Sequence, residues 1–168
     1  MSIVSFQNDI LPLKNELYRL ALRITMNRAE AEDVVQETLI KVWNRRNSWD
    51  AIDSMEAFCL TVCRNLALDK QRHKDYQVES LDNSIDPTDL SHGSNPEELA
   101  VQRNRVEVVK RLIDQLPEKQ RTCMQLRDIE GKSYRDIAAI MNITEQQVKV
   151  NIFRARQTVK ERFQQLEQ

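Results

Sequence analysis

The sequence predicts an all-α protein made of two helical modules joined by an acidic strip. Apolar residues recur at helical spacing toward both ends of the chain, and nowhere do they alternate with period two as a half-buried strand requires. Charge is segregated along the chain. Residues 1–76 hold 11 basic and 11 acidic side chains, residues 77–98 hold six acids and no Lys or Arg, and residues 99–168 hold 14 basic against 9 acidic. Helix-start signals then mark the second module: Asn95-Pro96, Ser133 with Asp136, and Thr144 with Gln147. The net charge of −1 over 168 residues is therefore a cancellation between regions. The division it suggests is 1–76, a linker over 77–96, and 97–168.

Taken in order, Leu13, Leu17, Leu20, Ala21 and Ile24 form one face of a first helix. A second runs from about Ala29 to Asn44, with Ala31, Val34, Val35, Thr38, Leu39 and Val42 facing inward. Its opposite face carries Asp33, Gln36, Glu37 and Lys41. By pattern alone this reads as a solvated surface with a Glu37–Lys41 pair, worth ~0.3 kcal/mol. A basic loop follows, Arg45-Arg46-Asn47-Ser48-Trp49. The third helix starts after Asp53-Ser54, with Cys59, Val62, Cys63, Leu66 and Ala67 on its core side and Phe58, Arg64, Asn65, Asp69, Arg72 and His73 outward.

Basic residues interleaved with aromatics suit single-stranded nucleic acid. Cations follow the phosphates, and a ring stacks on an unpaired base for ~1–3 kcal/mol. Trp43, in register beside Val42 and Leu39, reads as a core ring. Trp49 lies in the loop, where core filling and base stacking both remain open. Beyond it the strip VESLDNSIDPTDLSHGSN has one charge sign and little hydrophobicity, the composition of a flexible tether. From Gln77 to Asn95 it can reach roughly 60 Å fully stretched.

The second module opens with an Asn cap, Pro at the first helical position and two acids that complement the helix dipole. Val101, Val108, Val109 and Leu112 give that helix a face, and Pro117 begins another that Gly131 closes. Tyr134–Met141 makes a short helix, Asn142 turns the chain, and a helix of about 19 residues runs from Glu145 to Phe163. Short helix, tight turn and longer helix form a helix-turn-helix. Val148, Ile152, Ala155 and Val159 are its buried stripe. The other side presents Gln146, Gln147, Lys149, Asn151, Arg154, Arg156 and Lys160, with Val150 beside them. Gln146, Gln147, Val150 and Asn151 sit near the helix start, where base edges are read, and Lys149, Arg154 and Arg156 suit phosphates.

Other functions are poorly supported. With only Gly93 and Gly131, the chain can contain no glycine-rich phosphate loop. Two isolated histidines and three cysteines without a CxxC pair argue against a metal centre, and no cofactor is expected. No acid–base or nucleophile constellation marks an enzyme. Cys59 and Cys63 on a core stripe read as small buried hydrophobes. Few cysteines, no apolar run of ~20 residues and no signal peptide suit a cytoplasmic protein that is not inserted in a membrane.

Three stretches carry a family resemblance: AEDVVQETLIKVW (31–43), FCLTVCRNLALDKQR (58–72) and LPEKQRTCMQLRDIEGKSYRDIAAIMNITEQQVKVNIFRARQTVKE (116–161). Together they resemble the extracytoplasmic-function group of bacterial sigma-70 family sigma factors over nearly the whole chain. The resemblance implies a sigma-2 domain, a linker and a sigma-4 domain that direct RNA polymerase to promoters. It assigns Asp33, Gln36, Glu37 and Lys41 to the clamp helices of the core polymerase, in place of a solvated face. Arg45, Arg46, Trp49, Arg64, Asn65 and Arg72 fall to the opened −10 element, with Trp49 in the loop that captures a flipped base. The acidic strip would enter the RNA exit path, and the helix-turn-helix would read the −35 duplex and touch the polymerase flap. An anti-sigma factor is the further partner the family implies. Val150 and Asn151 stand where many members carry a small polar residue and an arginine, and Asn142 replaces the common turn glycine. The alternative is a stand-alone helix-turn-helix regulator that binds duplex DNA as a dimer, which leaves the 31–43 and 58–72 motifs unexplained.

Overall fold

The computed structural model describes residues 3–80 and 97–167, with side chains for 3–76 and 104–167. Among these residues the chain is helical throughout, as its periodicity requires. The N-terminal bundle consists of α1 (Lys14–Thr25), α2 (Arg28–Asn44) and α3 (Met55–Ser80), each packed on the other two. The C-terminal module consists of α4 (Glu97–Asp114), α5 (Glu118–Met124), α6 (Tyr134–Met141) and α7 (Glu145–Leu166).

Local chemistry sets the boundaries. Leu17, Leu20, Ala21 and Ile24 of α1 are fully buried, and the helix ends at Met26 in a left-handed conformation (φ 57°). Asn27 then caps α2 by accepting the Glu30 N–H at 3.0 Å, which satisfies one of the helix's orphan donors. Ser54 does the same for α3 through the Ala57 N–H at 3.1 Å. Ahead of α1, a π-helical turn over Phe6–Ile10 and a 3-10 turn over Leu11–Leu13 seat Ile10 in the core. The sequence offers no period for this five-residue turn, and it was not anticipated.

In the C-terminal module, Gly131 (φ 71°) closes a π-helical extension of α5 at Gln125–Ile129. Asn142 (φ 55°) makes the left-handed turn between α6 and α7, as its short polar side chain permits. Both capping signals are in place. Ser133 accepts the Asp136 N–H at 3.1 Å, and Thr144 with Gln147 makes a complete reciprocal capping box. Helix α7 runs three residues beyond the expected Phe163. Helix α3 likewise continues to Ser80, four residues into the stretch assigned to the linker. The remainder of that acidic strip, with the Asn95-Pro96 cap, lies outside the described residues.

The two modules are packed together. Cys123, Leu126, Ile137, Ile140 and Met141 belong to the same apolar cluster as Leu17, Leu20 and Leu60, so one core passes through both halves. A smaller cluster of Ile113, Leu116 and Ala155 ties α4 to α7. Polar pairs surround the junction. Arg19 forks onto Glu130 at 2.5 and 2.8 Å, and Arg23 reaches Asp114 at 3.0 Å and Gln125 at 2.9 Å. Lys132 lies between Glu16, at 2.7 Å, and Glu56. Partly exposed ion pairs contribute about 0–1 kcal/mol each, so the shared apolar core carries most of the junction.

Candidate polymerase and nucleic-acid interfaces

On α2, Ala31, Val34, Val35, Thr38 and Val42 are buried, which turns Asp33, Gln36, Glu37 and Lys41 to the exposed side. The ion pair on this face differs from the expected one. Glu37 lies 3.7 Å from Lys70 of α3, a contact between helices in place of an i,i+4 pair with Lys41. An open groove between α2 and α3 is lined by Glu30, Glu37, Leu66, Asp69, Lys70, His73 and Lys74.

The loop after α2 folds as a 3-10 turn over Arg46–Ala51 and gives the two tryptophans different surroundings. Trp49 is only 7% exposed, and its indole N–H donates to the Val42 carbonyl at 3.0 Å. The turn brings the ring back over the end of α2, where its N–H joins the Arg45 N–H, at 3.2 Å, on a carbonyl of the last turn. Trp49 is thus a packed ring in this structure, as the core-filling one of its two readings expects. Trp43, read as core, is 45% exposed instead. It lies edge-on between Phe6 (centroids 5.4 Å) and Trp49 (6.1 Å), with the Arg46 guanidinium 4.7 Å over its ring. Arg45 and Arg46 are exposed. Helical register placed Trp43 beside Val42 but could not show that the bundle ends there.

On α3, Asn65 and Arg72 are exposed, Arg72 within 3.8 Å of Asp69. Arg64 is different. It is 9% exposed and forks onto Glu118 of α5, with both contacts at 3.1 Å. An arginine expected on a nucleic-acid face is therefore engaged by the other module. Treating α3 as a helix with a single core side missed this. Phe58 and Leu60, on opposite sides of Cys59, were the available signal that a second body packs there.

The C-terminal surface is more open. Val148, Ile152 and Ala155 are buried, so Gln146, Gln147, Lys149, Val150, Arg154 and Arg156 face outward, with Asn151 half-buried. Asn151 donates from Nδ2 to the Gln147 carbonyl at 2.8 Å. Lys149 and Arg127 lie 5.3 and 4.3 Å from the Tyr134 ring, bringing cations from two elements onto the ring of a third. The Arg156 guanidinium forks onto Asp128, whose hydrogen bonds hold its pKa above the ordinary arginine value. A phosphate would compete with that carboxylate. Phe153, 68% exposed and one turn beyond Val150, was not anticipated as part of this face. Its i+3 spacing from Val150 was the signal.

Among the described residues no group of His, Cys, Asp and Glu is arranged to hold a metal ion, and no helix is long and apolar enough to cross a membrane. The three cysteines are buried thiols.

Both modules have family matches. Residues 10–76 match Sigma-70 region 2, and residues 107–159 match Sigma-70 region 4. The chain is 32% identical over 168 residues to the RNA polymerase sigma-H factor of Pseudomonas aeruginosa, an alignment spanning 94% of this chain and 86% of that one. It is 29% identical over 169 residues to the ECF RNA polymerase sigma factor SigW of Bacillus subtilis, spanning 94% and 89%. The fold is shared with the sigma factor RpoE of Bartonella quintana, solved with the anti-sigma factor NepR, at a TM-score of 0.74 and 24% identity over 97% of this chain and 98% of that one. CnrH, solved with the cytosolic domain of CnrY, gives a TM-score of 0.67 at 18% identity over 93% and 85%. With both regions matched in order and relatives aligned along nearly their full lengths, the chain belongs to the extracytoplasmic-function group of the sigma-70 family of RNA polymerase sigma factors.

Proposed function

We propose that this promoter-specificity subunit docks on core polymerase through Asp33, Gln36, Glu37 and Lys41 of α2. The opened −10 strand is held by Arg45, Arg46, Arg64, Asn65 and Arg72, and the −35 duplex is read by α7. The observation that carries this reading is the outer face of α7. Amides, an apolar contact and cations lie together on the exposed side of a capped helix whose other side is anchored behind α6. That is the arrangement a recognition helix needs in a major groove. Trp49 supports the −10 surface from within, by holding the loop that carries Arg45 and Arg46 against α2.

The packed arrangement must open for both DNA elements to be read. Elements some 25 base pairs apart are separated by about 85 Å along a straight duplex, at ~3.4 Å per base pair. A single compact body of this chain length has a radius of gyration of only ~15 Å. Opening also frees Arg64 from Glu118, returning a cation to the −10 face. An anti-sigma partner fits the same logic: a protein that binds the packed form disfavours the open one by mass action. RpoE of Bartonella quintana, solved with the anti-sigma factor NepR, motivates that expectation for this chain.

Run-off transcription with purified core polymerase and the full chain tests the proposal. A promoter-dependent transcript, with protection of both the −35 duplex and the melted −10 strand, is expected. No transcript, together with a footprint on an inverted repeat by the chain alone, would identify a stand-alone regulator instead.

A further inference from the structure

The first turn of α7 restrains one of its outward-facing amides. Thr144 Oγ1 accepts the Gln147 N–H at 3.0 Å, and the Thr144 backbone N–H donates to Gln147 Oε1 at 2.9 Å. Only the oxygen of an amide can accept an N–H, so this bond fixes the orientation of the Gln147 side chain. Oε1 is drawn back to the helix start, and Nε2 with its two N–H groups is the end left to the exposed side. Its neighbour Gln146 is held by no such bond among the described residues.

The restraint changes what Gln147 can recognise. A free glutamine pairs with adenine through both ends of its amide, accepting from N6 and donating to N7. With the oxygen turned back to the Thr144 N–H, the two donors are the groups that face outward. Guanine presents two adjacent acceptors, O6 and N7, which match the two N–H groups. Cytosine presents its N4 amino group, which sets donor against donor. We propose that Gln147, held as a donor by the capping box, selects guanine and rejects cytosine at one position of the −35 duplex. This rests on the reading that α7 enters the major groove there.

The test uses the full chain assembled with core polymerase and a promoter library randomised across the −35 element. Bound promoters are sequenced for the wild type, Gln147→Glu and Gln147→Ala. Glutamate preserves the capping box, because one carboxylate oxygen still accepts the Thr144 N–H. Its second oxygen replaces the outward donor with an acceptor. The wild type should enrich guanine over cytosine about tenfold at one −35 position, Gln147→Glu should invert that preference, and Gln147→Ala should flatten it. A new negative charge near phosphates weakens all sequences alike, so the readout is the ratio between bases. An unchanged preference in either variant, or no guanine-selecting position in the wild type, overturns the role assigned to Gln147 while −35 enrichment keeps the α7 reading intact. Loss of all −35 enrichment in the wild type would overturn the α7 reading itself, and the proposal with it.

Discussion

Glu118→Gln is the perturbation that addresses the junction between the modules most directly. Arg64 belongs to the proposed −10 surface, so replacing it would confound opening with DNA contact. Changing its partner avoids this. Glutamine keeps the size of glutamate and can still accept the Thr122 hydroxyl bond now made at 2.8 Å, but it removes the charge from the fork onto Arg64. The Arg64 and Glu118 side chains are 10% and 24% exposed, between a surface pair worth ~0–1 kcal/mol and a buried pair whose disruption costs ~3–5 kcal/mol. A loss of about 1–2 kcal/mol is the reasonable middle, and it multiplies the open population about 5- to 30-fold. While the open form is a minority, apparent affinity for a ligand of that form rises by the same factor. The assay is binding of the free full-length chain to a single-stranded −10 oligonucleotide taken from a promoter the holoenzyme opens, with salt held fixed. Hydrogen exchange of the α3 and α5 amides should quicken in parallel. Unchanged affinity and unchanged exchange would refute the idea that this junction gates the −10 surface.

Trp49→Ala should destabilise the chain by about 3–5 kcal/mol in urea titration, because it removes a buried ring and leaves the Val42 carbonyl without its indole partner. Core binding and promoter opening should then fall together, whereas unchanged stability with loss of opening alone would restore a base-capturing role. Asp33→Lys with Glu37→Lys should weaken co-purification with core polymerase while leaving the urea midpoint nearly unchanged, since both side chains are exposed; undiminished association would return that face to plain solvation. Burial pushes the Cys59 thiol up to about 11 and the Cys63 and Cys123 thiols up to about 12, from an ordinary 9.0. The folded state therefore holds these protons more tightly, so their contribution to stability is complete below pH 9 and is lost as pH rises from there through 11–12. Iodoacetamide should label the native chain slowly at pH 7.5 and quickly in urea; rapid native labelling would contradict the burial.

Most of the helices were legible in the sequence because their signals are local. Six helices followed from 3.6-residue periodicity and α5 from Pro117 and Gly131, with further ends from Ser54, Ser133, Thr144 and Asn142, whose side chains or backbone freedom act within one turn. The exposed face of α7 was legible for the same reason: one buried stripe on a helix fixes what the other side presents. Motifs in order along the chain gave the family. The residues misjudged are those whose surroundings come from distant parts of the chain. Periodicity assigns a side chain to a helix face but does not say what else covers that face. Thus Trp43 is exposed and Trp49 packed because a 3-10 turn folds back on α2, and Arg64 leaves the surface because α5 packs against α3.

By itself, then, the sequence determined an all-α chain with a charge-segregated layout and a capped recognition helix, because periodicity, capping and charge are properties of neighbouring residues. Only the tertiary structure decided that the two modules share one core and that Arg64 spends its charge on Glu118. Those contacts join residues some 50 to 110 positions apart, and they depend on the shapes of two assembled surfaces, which no local pattern encodes.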